Sequence, residues 1–347
     1  MATFKKFGKT DIENLSMQMM PDAVKERTFQ HMEICSLLLL VNTSEDLRRD
    51  LRRYRLKECS ITLRMIEKMN DINVAYCTET NAHRLTFMTP EHGQFYLNHR
   101  WNTQLRTLGK LQMDASSLFE GSWEFVTSNI FKSSMMAIEH LRDIFPRLKI
   151  SYLEIDFARV NDIDHLCKVL KNVSCKQASL SMTGEDPAEK TKLLLPRLRD
   201  IEHLELRMFH IPFDFDEPIF ADQIEISMAT WVNNFKMSTW KFKYCRLSST
   251  RYTSEDYAEF IIMWLTGSFK KLKKMAMAWN RHDVDRDVVV ELTNAKKWNE
   301  QEMEGRSCDK DEYAKFYVRR NDGTVGVLRT FRQYFQFIIW EGKPVVD

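Results

Sequence analysis

The sequence predicts a mixed α/β fold: an N-terminal three-helix unit, then a string of strand and helix units that closes on a β-hairpin. Three observations predict it. A proline-led amphipathic stretch near residues 20–32 runs on toward four consecutive leucines, Leu37 to Leu40. A strand of the form apolar-x-apolar recurs through the second half of the chain, and two alternating runs flank Asn321-Asp322-Gly323-Thr324 near its end.

Residues 1–15 read as a polar tail, lysine-rich and without the apolar core of a signal peptide. Residues 16–57 read as the helical module. Pro21 suits the first turn of a helix, because its missing N–H is a donor that every helix start leaves unpaired. Val24, Thr28, Phe29 and Met32 are then expected on one face. In the next helix Leu37, Leu38, Leu39 and Leu40 step about 100° apiece and sweep roughly 300°, so they cannot all meet one neighbour. That surplus points to a docking surface; a helical hairpin packed on its own domain is the alternative. From Leu47 to Lys57, Leu47, Leu51 and Tyr54 keep one helical face apolar while arginines ring the other. This is the basic run that stands out locally. It reads as a solvated face, with an RNA or acidic-partner contact as the minor reading.

Residues 58–125 read as a small β-rich connecting region. Ile61-Thr62-Leu63-Arg64-Met65 and Ile72-Asn73-Val74-Ala75-Tyr76 alternate as strands of a small antiparallel sheet. Between Trp101 and Gly121 the pattern is weak, and a loop or short helix serves equally well. Residues 126–347 form the last predicted domain. It opens with a helix carrying Met135, Met136, Ile138, Leu141, Ile144 and Phe145, stopped by Pro146.

The recurring strand then stands at Leu153–Phe157, Ala178–Met182, Leu204–Leu206, Ile224–Ile226, Phe242–Tyr244 and Met275–Met277. The first three begin 25 and 26 residues apart, within the roughly 20–29 residues of a leucine-rich repeat. Helices are expected at Ile163–Leu170, Ala188–Leu195 and Ser254–Trp264. Each unit has an apolar face that only a neighbour can cover, which predicts a degenerate leucine-rich-repeat-like arc. A layered α/β domain without a solenoid is the alternative. The Asn321–Thr324 turn joins Phe316 and Val318 to Val325 and Val327 as a C-terminal hairpin cap, with Arg319, Arg320, Arg329 and Arg332 placed to discourage edge pairing.

At 347 residues with 44% hydrophobic composition, the chain can bury a large core. Its 51 basic and 49 acidic residues leave a charge near +2, which gives no global drive toward nucleic acid or anionic membrane. No run of 18 apolar residues occurs, so a cytoplasmic or nuclear protein without a membrane span is expected. Seven scattered cysteines without a Cys-x-x-Cys pair suit neither a disulfide framework nor a zinc site. Asp283, Asp285 and Asp287 beside His282 lack the glycine and distal glutamate of a calcium loop and read as a polar loop. With ten glycines and no phosphate-loop or nucleophile-elbow motif, no cofactor and no catalytic role are expected. His165 and Cys167 point about 200° apart on a helix, which makes them poor catalytic partners.

The N-terminal spacing resembles an F-box. Met20-Pro21 stands at its Leu-Pro, Val24, Phe29 and Met32-Glu33 at its first-helix apolar and acidic places, and Leu37, Leu38 and Leu40 at its second-helix leucines. Ser44 and Leu47-Arg48 fall at its closing Ser and Trp-Arg; Lys25 and Thr28 stand where apolar residues are common. Tyr252–Ser268, with its Thr253-Ser254-Glu255-Asp256 start and Trp264-Leu265-Thr266-Gly267 end, is similar to the type 2 F-box-associated domain of nematode F-box proteins. So are Met275-Ala276-Met277 and the ending Phe337-Ile338-Ile339-Trp340. The resemblance implies a non-catalytic substrate-recognition adaptor of a cullin-RING (SCF-type) ubiquitin ligase. Met20, Pro21, Val24, Phe29, Met32, Leu37, Leu38 and Leu40 would bind a Skp-family adaptor and through it a cullin, while the C-terminal domain holds an unknown protein target by proximity. The alternative is a non-ligase, F-box-derived interaction or sequestering protein. For target binding the arc offers Phe213, Phe215, Trp231, Trp240, Tyr244 and Trp279, with Phe209 beside them, either as exposed anchors or as core. The loop His210–Pro218 is either tucked or presented.

Overall fold

The computed structural model describes residues 19–31, 44–54, 59–66, 69–76, 82–88, 103–108, 111–117, 122–145, 147–208, 215–278, 283–298, 316–331 and 333–340. Met32, Leu37, Leu38, Leu40, Phe209, Phe213, Trp279 and Arg332 lie outside them, as do the middle helix of the expected N-terminal module and most of the His210–Pro218 loop. The protein is mixed α/β and divides into two compact units, Met1–Gln177 with Pro196–Arg199, and Ala178–Leu195 with Asp200–Asp347.

The first unit opens with α1 (Asp22–His31) and α2 (Glu45–Arg53). Ser44 caps α2 by accepting from the Leu47 N–H at 3.3 Å, the usual remedy for the donors a helix start leaves unpaired. Lys25 Nζ meets Asp50 Oδ2 at 2.8 Å, Tyr54 donates to Asp22 at 2.9 Å, and the Phe29 and Tyr54 rings lie 5.8 Å apart. Phe29, Leu47 and Leu51 are buried.

Strands β1 (Cys59–Ile66), β2 (Met69–Tyr76) and β3 (Ala82–Met88) form the expected antiparallel pairs, with Leu63 opposite Ile72 and Ile72 opposite Leu85. Alternate residues of β1, Cys59, Ile61, Leu63 and Met65, are buried, as a strand with one covered face requires. The weakly patterned stretch after Trp101 contains β4 (Thr103–Leu108) and β5 (Leu111–Ser117), an antiparallel pair continued by β6 (Ser122–Val126), where a loop or short helix was expected. In β5 Leu111, Met113 and Ala115 in fact alternate with Gln112, Asp114 and Ser116, a strand signal that the weak reading of this stretch passed over. Helix α3 (Ile130–Ile144) is capped by Asn129, and β7 (Lys149–Asp156) pairs with β1 in parallel. That pairing makes the sheet mixed, in the order β7-β1-β2-β3-β6-β5-β4, and places the expected boundary at residues 125–126 inside this unit. Helix α4 (Ile163–Leu170) then packs on α3.

The second unit takes in β8 (Cys175–Met182) from Ala178 on, α5 (Pro187–Leu194), β9 (His203–Met208), β10 (Gln223–Ile226), α6 (Asn234–Ser238), β11 (Tyr244–Ser248), α7 (Ser254–Leu265) and β12 (Lys274–Ala278). Helix α8 (Arg286–Thr293) and strands β13 (Lys296–Lys297), β14 (Phe316–Arg319), β15 (Val325–Phe331) and β16 (Tyr334–Trp340) complete it. Strands β9, β10, β11 and β12 run parallel, and β16 closes on β12 antiparallel. The strand expected at Phe242–Tyr244 begins at Tyr244 and runs to Ser248.

The register explains the apolar-x-apolar signal. Leu204, Ile224, Cys245, Met275, Phe337 and Leu328 form one buried row across the sheet, and Leu206, Ile226, Leu247, Met277 and Phe335 form the next. Each such side chain contributes about 1.5–3 kcal/mol relative to exposure. Over these rows α7 lays Tyr257 on Phe335 at 4.5 Å, Phe260 on Phe337 at 5.8 Å and Trp264 on Phe337 at 5.1 Å.

The hairpin falls where expected, with Arg319 opposite Val325 and Gly323 at φ +84° in the turn. Gly323 N–H bonds the Arg320 carbonyl at 2.9 Å, a type I turn completed by a left-handed glycine. Two of the four arginines, Arg320 and Arg329, do not guard an edge. β15 lies between β14 and β16, so Arg329 is on an interior strand; Arg320 turns onto the Trp264 ring, and Lys296-Lys297 of β13 occupy the edge instead.

Candidate functional site

Two surfaces, one in each unit, carry the residues singled out from the sequence. On α1 the Pro21 carbonyl accepts the Lys25 N–H at 3.0 Å, so Pro21 occupies the N-cap and Asp22 the first helical position. Val24 and Phe29 part company, contrary to the single face expected: five residues apart, they point about 140° from each other on a helix. Phe29 is fully buried, whereas Val24 is 47% exposed and Met19, just before the helix, 87% exposed; Met20 is half-buried and Pro21 exposed. Lys25 takes the inward place instead, its charge met by Asp50. On α2 Leu47 and Leu51 face inward while Arg49 and Arg53 are exposed, the division the arginine-ringed pattern predicts.

The second surface is the solvent side of the parallel sheet. Side chains one residue out of phase with the core rows line up as Glu205, Glu225 and Arg246, continued by Ala276 and Gln336, which are covered, beside a row of His203, Gln223, Tyr244, Lys274 and Ile338. A cleft of about 410 Å³ opens among Gln223, Glu225, Tyr244, Arg246, Lys274 and Tyr334. Arg207 donates to Glu205 at 2.8 Å and Ser179 donates at 2.9 Å. The Arg207 bond leads in holding the Glu205 carboxyl below its usual range, against an opposing push from burial and with help from Ser179. Burial pushes the Tyr334 phenol up, opposed by Arg246 and Arg329. Charges of both signs, two phenols and an amide within one cleft suit binding of a polar chain.

Of the aromatics expected to meet a target, Tyr244 lies in this cleft and is exposed. Phe215 and Trp240 are corrected to core: both are buried, packed through Trp231 at 6.3 and 6.0 Å, and offer no surface. Trp231 is half-buried beneath Lys236. Tyr244 stays outside because it is out of phase with the Cys245 and Leu247 core positions of β11, whereas Phe215 and Trp240 lie off the strands and pack on Trp231. Arg246, Glu205 and Glu225, missed as site residues, follow from the same rule applied to the polar x of each apolar-x-apolar strand.

The described cysteines, Cys59, Cys167, Cys175 and Cys245, are buried. Burial pushes the Cys175 thiol up to about 12 and raises Cys167 and Cys245 as well, which keeps them protonated and poor nucleophiles at neutral pH. His165 contacts Glu139 and the Phe131 ring. Asp285 serves as the N-cap of α8, and no group of His, Cys, Asp or Glu among the described residues is gathered as metal ligands. No helix among them is long and apolar enough to cross a membrane. No protein-family model, curated protein or solved structure matches the chain.

Proposed function

We propose that the protein is a non-catalytic substrate-recognition adaptor of a cullin-RING ubiquitin ligase, working in the cytoplasm or nucleus. Its N-terminal module binds a Skp-family adaptor, and its C-terminal unit binds a protein target. In this reading the parallel strands of the second unit are a degenerate leucine-rich-repeat-like arc, capped by the β14–β15 hairpin, and the cleft around Tyr244 is the target surface. Parallel pairing of β9 through β12, with strands beginning at 203, 223, 244 and 274, supports the arc. The observation that carries the adaptor reading is the exposure of two apolar side chains, Met19 just before α1 and Val24 on the side of α1 away from Phe29. A Met19→Glu, Val24→Glu double variant is expected to weaken co-purification with a Skp-family adaptor at least about tenfold, the loss typical of charging an interface anchor. Failure of the wild-type chain to associate, or equal association by the variant, counts against it.

A second reading, a sequestering protein that has left the ligase, is favoured by Lys25 and Leu47. Both stand at motif positions, and both serve the chain's own packing. Target levels that stay constant under proteasome inhibition distinguish it.

A further inference from the structure

The cleft of about 410 Å³ on the open sheet face has a cationic wall and an anionic one. Arg246 of β11 and Lys274 of β12 both line it, and neither side chain makes an ion pair or hydrogen bond among the described residues. Register brings them together. Arg246 stands opposite Ala276 and Tyr244 opposite Lys274, so the two cations are diagonal neighbours on one face. Ala276 has no bulk to fill the space beside Arg246 and forms the floor.

Tyr334 of β16 adds a neutral donor. Gln336, opposite Ala276 and only 7% exposed, donates its amide to Tyr334 Oη at 3.1 Å. That bond occupies an oxygen lone pair and leaves the phenolic hydrogen for another acceptor. Burial pushes the phenol up, which keeps that hydrogen in place at neutral pH. On the other wall Glu225 of β10 stands opposite Arg246, yet the two form no ion pair. Glu225 Oε1 accepts the Gln223 amide at 2.7 Å and lies 3.5 Å from His203 Nε2, whereas Oε2 has no partner among the described residues.

We propose that this cleft binds the free C-terminal carboxylate of a protein target. The proposal rests on the reading of the cleft as the target surface and does not depend on adaptor association. Arg246 and Lys274 against Glu225 leave the lining one positive charge in surplus, which a single carboxylate balances. A phosphoryl group, at about −1.5 to −2 charges, would exceed it and lie beside Glu225. A terminal residue also carries an N–H two bonds from its carboxylate carbon. With the carboxylate on Arg246, Lys274 and the Tyr334 hydroxyl, that N–H faces Glu225 Oε2 on the neighbouring strand, about 4.8 Å across the sheet.

The test measures fluorescence anisotropy of the full chain with dye-labelled pools of random hexapeptides, each pool fixed in its last residue. Every pool is made once with a free C-terminal carboxylate and once with a carboxamide. At least one carboxylate pool should bind roughly 10–100-fold tighter than its amidated counterpart, as one or two charge-assisted hydrogen bonds imply. Arg246→Gln/Lys274→Gln should erase that preference, whereas Lys296→Gln/Lys297→Gln, the same charge change on the edge strand β13, should leave it. Arg246→Gln alone, at an exposed side chain, decides the matter should the double variant fail to fold. A preference that persists in the Arg246 variants, an equal loss in the β13 control, or displacement of the peptides by free amino acids at equal concentration would each overturn the proposal. Equal binding of both kinds of pool, weakened alike by Tyr244→Ala, would overturn it while keeping the cleft as the target surface; binding of neither would count against both. No adaptor is present in the assay, so its failure leaves the adaptor reading standing.

Discussion

Lys25 and Asp50 form the ion pair that joins α1 to α2, 2.8 Å apart with side chains only 10% and 18% exposed. A charge so covered is stabilising only while its partner remains, because removing one leaves the other desolvated. Asp50 is in turn one helical turn before Tyr54, whose hydroxyl reaches back to Asp22 on α1. The two helices are therefore tied at two points, with the buried Phe29 ring against Tyr54.

Lys25→Ala should loosen α1 by about 1–3 kcal/mol, the range for hydrogen bonds to charged groups. Lys25→Met combined with Asp50→Leu should recover much of that loss, since an apolar pair of similar volume can replace a buried ion pair. Amide exchange at α1 is the measurement, because a two-unit chain need not unfold in one step. Equal protection in wild type and Lys25→Ala would show that the pair does not hold the helix.

Gly326 lies on β15 with its missing side chain aimed at the Phe337 ring, which itself packs on Phe260 and Trp264. A methyl group there would overlap the ring. Gly326→Ala should destabilise the second unit by about 1–3 kcal/mol, the usual penalty of overpacking, and urea unfolding followed by tryptophan fluorescence should report it. An unchanged midpoint would mean that Phe337 can move aside.

Thr253 and Asp256 form a reciprocal cap on α7: Thr253 N–H donates to Asp256 Oδ2 at 2.7 Å, and Asp256 N–H donates to Thr253 Oγ1 at 3.3 Å. Thr253→Ala should cost about 0.5–2 kcal/mol, with Thr253→Ser close to wild type. Chemical denaturation of the pair of variants separates loss of the hydroxyl from loss of the methyl group. A serine variant as weak as the alanine one would rule out the capping role.

Glu205 gives the open sheet face a dependence on acid. Its carboxyl is depressed, chiefly by Arg207, so its stabilising contribution is complete above the ordinary value of 4.5 and fades as pH falls through the lower, folded-state value. Wild type should therefore lose stability in the acid range more steeply than Glu205→Gln. Arg207→Ala should raise the Glu205 titration toward the ordinary value, as followed by carboxyl NMR shifts. Coincident acid profiles for wild type and Glu205→Gln would refute the linkage.

Much of the second unit was legible because its signals are local. The cap at Thr253, the glycine stop at Gly267 and the Asn-Asp-Gly-Thr turn depend on residues a few positions apart, and their elements lie within a residue or two of expectation. The β4–β5 pair was missed although β5 alternates, because in β4 the two apolar residues, Leu105 and Leu108, are three apart and out of phase for a strand.

By itself the sequence determined the α/β class, the ends of α7, the hairpin and the apolar-x-apolar pairs of β9, β10 and β12, because periodicity and capping are settled between near neighbours. Only the tertiary structure decided that Phe215 and Trp240 are core while Tyr244 is surface, that Val24 and Phe29 part company on α1, and that β1 pairs with β7 across an interval of almost ninety residues. Burial and charge pairing are properties of what lies opposite a side chain, and that is fixed by register and packing rather than by position in the chain.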